Sequence, residues 1–544
     1  MRIKKIKIKN FKCYAGTFEV LLNEGVNIIV GGNESGKSTI LEAIHLALTG
    51  MLNGRHIRND LSSYLFNLAV ESSYVKSLAT ATPLPPPSIL IELFFSGDGK
   101  EFADLEGDGN SDTVKGSGVA YKIEFDRENY GDAYAELIKT GGLKSIPVEY
   151  YSATMASFAR KGITARNIPI KSAFIDSASS RFQNGSDVYI SRIIRDSLEE
   201  KERASISQAH RKLREAFTED AALKLINAKI TAAAKISKKS VSVSVDLSSQ
   251  TAWESSLMTY IDNIPFHYIG KGEQCIIKTK LALSSKKNGE ATTLLIEEPE
   301  NHLSHGRLSQ LVRDLSSEKE NKQVIISTHS SFVANKLGLE NLVLLRQSRV
   351  VRIGELKSNE FFKKLAGYDT LRLVLAKKAI LVEGDSDELV VQRAYMDTHE
   401  GRLPIEDEID VISVGTSFLR FLELAKELKV PVAVVTDSDG KPEALRKKYV
   451  EYEGIDHIKI CFDEVVDGGD LKIGNRPFNY NTLEPKLLKS NGLEVLAPMF
   501  GIKASSDDEL HIHMHANKTD CALAIFSAAR KINYPDFIVD AIAI

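Results

Sequence analysis

Isoleucines and lysines take turns over residues 3–14, and this period of two predicts a β-strand with one face turned to a core. A second apolar run, Val26-Asn27-Ile28-Ile29-Val30, stops at a glycine pair, and Ile40, Leu41, Ile44, Leu46, Ala47 and Leu48 then predict a mostly buried helix ended by Gly50. The prolines at 83–87 predict a turn or linker. The run 89–95 resumes a strand before a Gly/Asp-rich stretch at 97–118, expected to be a flexible surface loop. Residues 186–235 are rich in Ala, Arg, Lys, Glu and Leu, with Ile190, Ile194 and Leu198 at four-residue spacing, which predicts helices interrupting the strands. Leu294-Leu295-Ile296 and Val324-Ile325-Ile326 are short enough to be buried strands. From Ala379 onward, strands 379–382, 409–414 and 431–436 alternate with helical stretches 386–398 and 416–428, the pattern of a parallel sheet. There is no internal repeat and no low-complexity tract.

At 544 residues, with 43% hydrophobic and 26% charged positions, the chain has ordinary globular composition and exceeds one hydrophobic core, so two or three domains are expected. No stretch approaches the ~18 to 20 apolar residues that span a bilayer, and the start lacks a signal-peptide core, so a cytosolic protein without a membrane partner is expected. Cys13, Cys275, Cys461 and Cys521 are scattered without a Cys-x-x-Cys pair, which predicts reduced thiols rather than disulfides or a cysteine zinc site. The net charge of -3 is no sign of nucleic-acid binding, but residues 155–240 hold 17 Lys/Arg against 9 Asp/Glu. Such a basic segment suits phosphate backbones and equally suits a solvated helical surface. The six basic residues among the first twelve fit the solvent face of an edge strand.

Gly31-Gly32-Asn33-Glu34-Ser35-Gly36-Lys37-Ser38 fits G-x-x-x-x-G-K-[ST], with a buried strand before it and a helix after it. Backbone N–H groups of such a loop, from Gly31 through Asn33 and Gly36 to Thr39, wrap nucleotide phosphates at the positive end of the helix. Lys37 neutralises the β/γ charge and Ser38 ligates Mg²⁺. In Thr293-Leu294-Leu295-Ile296-Glu297-Glu298-Pro299-Glu300 a buried strand delivers consecutive carboxylates: Glu297 is expected at the magnesium and Glu298 at the attacking water. Another strand ends in Ser327-Thr328-His329-Ser330. There His329 could sense the γ-phosphate, although alone it would read as a buried structural histidine. Ile8-Lys9-Asn10-Phe11 and the glycine loop resemble the ABC-type ATPases of the DNA-repair and chromosome-structure group. In those proteins a signature loop from a second subunit closes over the ATP. Gly270-Lys271-Gly272-Glu273-Gln274 occupies the corresponding place but departs from the usual Ser-Gly-Gly core, and its glycines suit a close approach to phosphate. The long heptad arms of that group are missing from the stretch between the two ATP motifs.

A second site is predicted at the far end of the chain. Strand 379–382 ends in Glu383-Gly384-Asp385-Ser386-Asp387, and strand 431–436 ends in Asp437-Ser438-Asp439. In a parallel sheet these carboxyl ends share one edge, so Glu383, Asp437 and Asp439 are expected to converge. An all-oxygen set suits Mg²⁺ or Mn²⁺ and disfavours zinc, and with two metals it can hydrolyse phosphodiesters. Each motif taken singly is an ordinary turn. Together they resemble the Toprim domain of topoisomerases, primases and certain nucleases. An ABC-type head followed by Toprim resembles the overcoming-lysogenization-defect (OLD) nucleases, a family that includes the nuclease subunit of the Gabija antiphage system. The resemblance rests on Glu297 to Leu303, the Ser-Thr-His-Ser stretch, Glu383 with Asp387, and Asp437 with Asp439; Glu484 and Lys518 match less specifically.

The resemblance implies an α/β chain: an ATPase head at 1–154 and 241–370, an inserted helical dimerisation subdomain at 155–240, and a Toprim nuclease domain at 371–544. It implies ATP-regulated, Mg²⁺- or Mn²⁺-dependent cleavage of DNA in antiphage defence, with Glu383, Asp387, Asp437, Asp439 and Glu484 toward metal and Lys518 catalytic. It also implies a homodimer or higher oligomer acting alone, with a helicase, or with a reverse-transcribed (retron-type) DNA element and its reverse transcriptase. A DNA-binding repair or structural ATPase, or a sensor with an inactive Toprim domain, is the alternative. Lys518 is expected just after a strand, at the start of an amphipathic stretch, 518–530. His511, His513 and His515 would share one face of a strand and could bind metal; the plainer reading is that they flank the active-site edge or simply pack.

Overall fold

The computed structural model describes residues 2–53, 55–97, 103–176, 182–183, 186–187, 198–233, 243–244, 253, 259–284, 292–317, 322–330, 333–334, 337–346, 349–352, 356–358, 361 and 367–544. Ile190 and Ile194 of the expected helical insert, and 98–102 of the expected loop, lie outside the described residues. The chain divides into two compact units, Met1–Asn27 with Ser38–Ser327, and Ile28–Lys37 with Thr328–Ile544.

In the first unit, strand Arg2–Lys9 buries Ile6 and Ile8 on one face, as alternation requires, and buried Ile3 lies beyond a register shift between Ile3 and Lys5. It pairs antiparallel with Thr17–Leu21 on one side and with Ile89–Ser96 on the other, so it is an interior strand and not the edge strand expected. Its lysines are not simply solvent-facing either. Lys5 (2.8 Å) and Lys7 both bond Asp112, and these hydrogen bonds pull the Asp112 carboxyl down to about 2. Ser111 adds its N–H (2.7 Å) and hydroxyl (2.5 Å) to the buried Glu92. The described part of 97–118 is therefore tied to the sheet by charge and is not a loose excursion. Ile89–Ser96 continues antiparallel into Gly116–Phe125 and Tyr151–Ser157.

Three further strands of this unit, Lys171–Asp176, Thr292–Glu297 and Gln323–Thr328, run parallel, with Glu297 level with Asp176 and Ser327. Buried Gln323 accepts from the Ile3 N–H and donates to the Ile3 and Asn23 carbonyls, each at 2.8 Å. The expected helices of the insert are Glu200–Thr218 and Ala221–Ala233. They leave Leu213, Phe217, Leu225 and Ile226 exposed.

In the second unit, Ile28–Gly31 pairs in parallel with Leu342–Arg346, which turns back into Arg349–Arg352. A separate four-stranded sheet follows in the order Ile409–Ser413, Lys378–Val382, Val432–Val435, Ile458–Cys461, all parallel. Its core is built with helix Asp385–Thr398 and with the C-terminal helices Leu483–Asn491, Asp507–Ala516, Lys518–Ser527 and Asp536–Ile542. Two expectations fail here. His511, His513 and His515 lie on a helix, where alternate residues point to different sides, so they do not form a three-histidine face. Lys518 accordingly follows a helix, not a strand.

Candidate functional site

The wholly buried strand Val26–Gly31 leads into the glycine loop, and helix Lys37–Thr49 starts at the loop's lysine. Gly36 takes a left-handed backbone (φ +97), which closes the loop at little steric cost only for glycine. Lys37 is buried, and its Nζ donates to the Gly31 (3.0 Å) and Gly32 (2.9 Å) carbonyls, so its charge is held on the loop that would receive phosphate. Asn33 is exposed in the loop; Thr39 is buried in the helix and accepts a weak hydrogen bond from the Cys13 thiol. Ser38 donates its hydroxyl to Glu297 at the end of Thr292–Glu297, so the two groups expected at magnesium are already partners.

Glu298 follows in a left-handed backbone (φ +42), with its N–H on the Ser327 carbonyl (2.9 Å) and its carboxylate accepting from Asn301 (2.7 Å). His329, half-buried, directly follows Gln323–Thr328. Gly270 stands in open space before helix Lys271–Ser284, whereas a Cβ on Gly272 would come within 2.3 Å of the His302 carbonyl. Close packing inside the chain therefore accounts for Gly272.

The acidic edge is built by strand register. Leu381 pairs with Val434, so Glu383 and Asp437 leave neighbouring central strands at almost the same level. Asp387 lies in the first turn of Asp385–Thr398 and turns back to accept from the Gly384 N–H at 2.9 Å. Glu484 comes from the start of Leu483–Asn491, buried, with Thr482 donating to it at 3.1 Å. Lys518 opens its own helix and reaches Glu484 Oε1 at 3.0 Å.

Burial pushes the Asp437 carboxyl up to about 8, and the charges of Asp387, Glu484 and Glu383 push the same way against Lys518. Asp387 is raised to about 6, again by burial first, then by Glu484 and Glu383, with the Gly384 N–H and Lys518 opposing. Burial disfavours the Lys518 ammonium, yet Glu484, Asp437 and Asp387 together hold it above the ordinary lysine value. Five side chains from five elements thus share one electrostatic site. Asp439 stands beside it: exposed, left-handed (φ +49), and accepting from Asn479 Nδ2 at 2.7 Å.

The donor set is all oxygen, half buried and in excess of its cation, which suits a hard divalent ion. Among the described residues no three His, Cys, Asp or Glu side chains converge closely enough to hold an ion as they stand. The sequence reading missed two residues here. Tyr449 is fully buried, and its phenol is pushed up to about 12 by burial and by the charge of Glu383. Asn479 holds Asp439. Neither carries a sequence signal, because each reaches the edge only through the fold. Of the histidines, His511 is buried against Phe478 and Tyr480, His515 lies by Phe478, and His513 stacks on Phe500, so all three pack on aromatic rings.

Residues 5–244 match the family model for an AAA domain, and residues 374–439 match that for the Overcoming lysogenization defect protein-like, TOPRIM domain. An OLD nuclease of Thermus scotoductus is 30% identical over 202 residues, which are 33% of this chain and 37% of that protein. The DNA replication and repair protein RecF of Prosthecochloris aestuarii is 42% identical over 84 residues, 15% of this chain and 20% of the relative. The matched stretches thus span well under half the length of these relatives. Among solved structures, the SMC head domain from Thermotoga maritima is similar at 14% identity and a TM-score of 0.29, covering 65% of this chain and 99% of that one.

Proposed function

We propose that this chain, an AAA ATPase domain joined to an OLD-like Toprim domain and distantly homologous to an OLD nuclease, is an ATP-hydrolysing, Mg²⁺-dependent DNA endonuclease. The observation that carries the reading is the acidic edge: Glu383, Asp387, Asp437 and Glu484 with Lys518, brought from separate elements into one electrostatic site. Structural carboxylates are ordinarily spread or paired one to one. Here burial and mutual repulsion hold two of them well above the usual carboxylate range, a cost expected where a cation is to be bound. Bound divalent ions would supply an activated water and a sink for charge on the leaving oxygen. Glu383, Asp387, Asp437 and Glu484 would hold them, and Lys518 would face the scissile phosphate with a fixed positive charge.

In this reading the ATPase comprises 1–154 and 241–370, the insert 155–240 and the nuclease 371–544. Lys37 binds nucleotide phosphate, Ser38 and Glu297 hold its magnesium, Glu298 orients water and His329 senses the γ-phosphate. Two further proposals attach to it. The exposed Leu213, Phe217, Leu225 and Ile226 support a second copy covering the inserted helices, hence a homodimer. A role in antiphage defence is the biological setting we propose.

Supercoiled plasmid incubated with the protein, with and without Mg²⁺ or Mn²⁺ and ATP, tests the reading, with Asp437→Ala as the control. Metal-dependent nicking by the parent and none by Asp437→Ala is expected, with ATP hydrolysis equal in both. A second reading, a DNA-binding ATPase with an idle Toprim domain, is favoured by one observation: among the described residues no three such ligands converge. No cleavage alongside intact DNA binding would establish that one instead, and metal-independent cleavage would reject the acidic edge as the catalytic site.

A further inference from the structure

The segment 463–481 leaves the sheet after Ile458–Cys461 and returns into Leu483–Asn491, the helix that carries Glu484. It therefore starts and ends at the acidic edge, and its interior is heavily bonded. Lys486, buried, pairs with Asp463 (2.8 Å) and Asp467 (2.6 Å), and Lys489 adds a second cation to Asp467 at 2.6 Å. Arg446 takes Glu464 at 2.5 Å. Asn481 accepts from the Asp467 N–H and donates to its carbonyl, while its own carbonyl takes the Asp439 N–H. Asn479 binds the Asp439 carboxylate, and the Tyr480 hydroxyl accepts from the Leu471 N–H.

This framework presents a short hairpin, Lys472–Ile473 against Arg476–Pro477, turning through Gly474 and Asn475. Lys472 faces the side of its partner Pro477, and Arg476 the side of Ile473, so the two cations stand on opposite faces of the ribbon. Both are exposed, and neither makes an ion pair among the described residues. Three of the arm's acids, Asp463, Glu464 and Asp467, are occupied by cations at its base; Asp470, exposed, is the fourth. Arg476 precedes Asn479 by three residues, which in extended chain is about 10 Å from the Asp439 anchor, or roughly three nucleotide steps along one strand.

We propose that residues 463–481 are a substrate arm whose two-stranded tip enters a duplex groove, Lys472 and Arg476 each taking phosphate on one wall. A major groove about 12 Å wide admits a two-stranded ribbon, and a cation on either face matches its two phosphate walls. A single strand offers one wall only. The inference rests on the nuclease reading above and adds to it the substrate form, duplex DNA held close to the metal edge.

The test measures binding of a fluorescent 30-base-pair duplex and of one of its single strands, across a salt series in EDTA, and plasmid cleavage with Mg²⁺. The proteins are the full chain, K472A/R476A and the charge-keeping K472R/R476K. Expected for K472A/R476A is duplex affinity down about tenfold and a salt slope shallower by about two, the share of two phosphate contacts. Single-strand binding should fall by less, and cleavage at limiting protein should fall in step with duplex affinity. K472R/R476K should behave as the parent. Equal affinity and slope in K472A/R476A, equal loss for duplex and single strand, or an equal loss in K472R/R476K would each overturn the arm while leaving the nuclease reading standing. A parent chain that neither binds nor cuts DNA would remove the nuclease reading itself.

Discussion

Arg393 offers the sharpest test of how the C-terminal unit is held in place. Its guanidinium, 8% exposed, pairs with Asp397 at 2.9 Å and donates to the carbonyls of Ile525 (3.2 Å), Phe526 (2.9 Å), Ala528 and Arg530 (3.4 Å). It thereby fastens the end of Lys518–Ser527, the helix that presents Lys518, to helix Asp385–Thr398, which presents Asp387. Arg393→Met keeps most of the volume but leaves Asp397, 10% exposed, without its cation and strips several carbonyls of a donor. Breaking a buried ion pair from one side costs ~3 to 5 kcal/mol. Because Tyr534 still donates to Asp397 at 2.7 Å, the lower end applies, ~3 kcal/mol by that scale.

Hydrogen exchange read by mass spectrometry resolves this by region. At 1.36 kcal/mol per tenfold, protection in Lys378–Val382 and Val432–Val435 should fall roughly 150-fold. Arg2–Lys9 and Ile89–Ser96, in the other unit, serve as the internal control and should not change. Arg393→Lys should lie between, since an ammonium keeps the charge but not the fork. A loss under about fivefold in the sheet would refute the reasoning, because a buried pair removed from one side cannot be that cheap. An equal loss in both units would mean the effect is not carried by these bonds.

Three further outcomes are expected. Glu298→Gln should bind ATP and hydrolyse it slowly while Lys37→Ala fails to bind it, and normal turnover by Glu298→Gln would show that another group orients the water. Lys518→Ala should cut DNA ~10²-fold more slowly at unchanged DNA affinity, the scale for losing one preorganised charge; cleavage at the parental rate would reject a catalytic Lys518. Asp112 lies below its ordinary 3.8, so its bonds to Lys5 and Lys7 contribute fully above about pH 4 and are lost as pH falls toward 2. The stability gap between the parent and Asp112→Asn in urea should therefore be wide at pH 7 and narrower at pH 3, and a gap independent of pH would contradict that pairing.

Much of the molecule was legible as a sequence because the informative groups are contiguous. A glycine loop between a buried strand and a helix, two carboxylates at a strand end, and three strands alternating with two helices depend on neighbours a few residues away, and these elements stand where the pattern put them. Glu383 and Asp437 were predictable partners for the same reason, since parallel strands deliver their ends to one edge.

What failed needed information from far along the chain. Arg2–Lys9 is interior only because Ile89–Ser96 arrives on its open side, and Asp112 reaches its lysines from a hundred residues away. The alternating histidines satisfy a strand's period of two, but a helix takes them because Leu510 and Met514, four apart, are the residues the core buries. Asn479, Tyr449 and the ion pair of Lys518 with Glu484 have no local signature at all. Around the two motif regions the sequence by itself determined which strands and helices form and which carboxylates end them, because those choices rest on local periodicity and turn chemistry. Only the tertiary structure decided which of those groups share a charged site, because electrostatic coupling depends on distance in space and burial, and neither is a property of spacing along the chain.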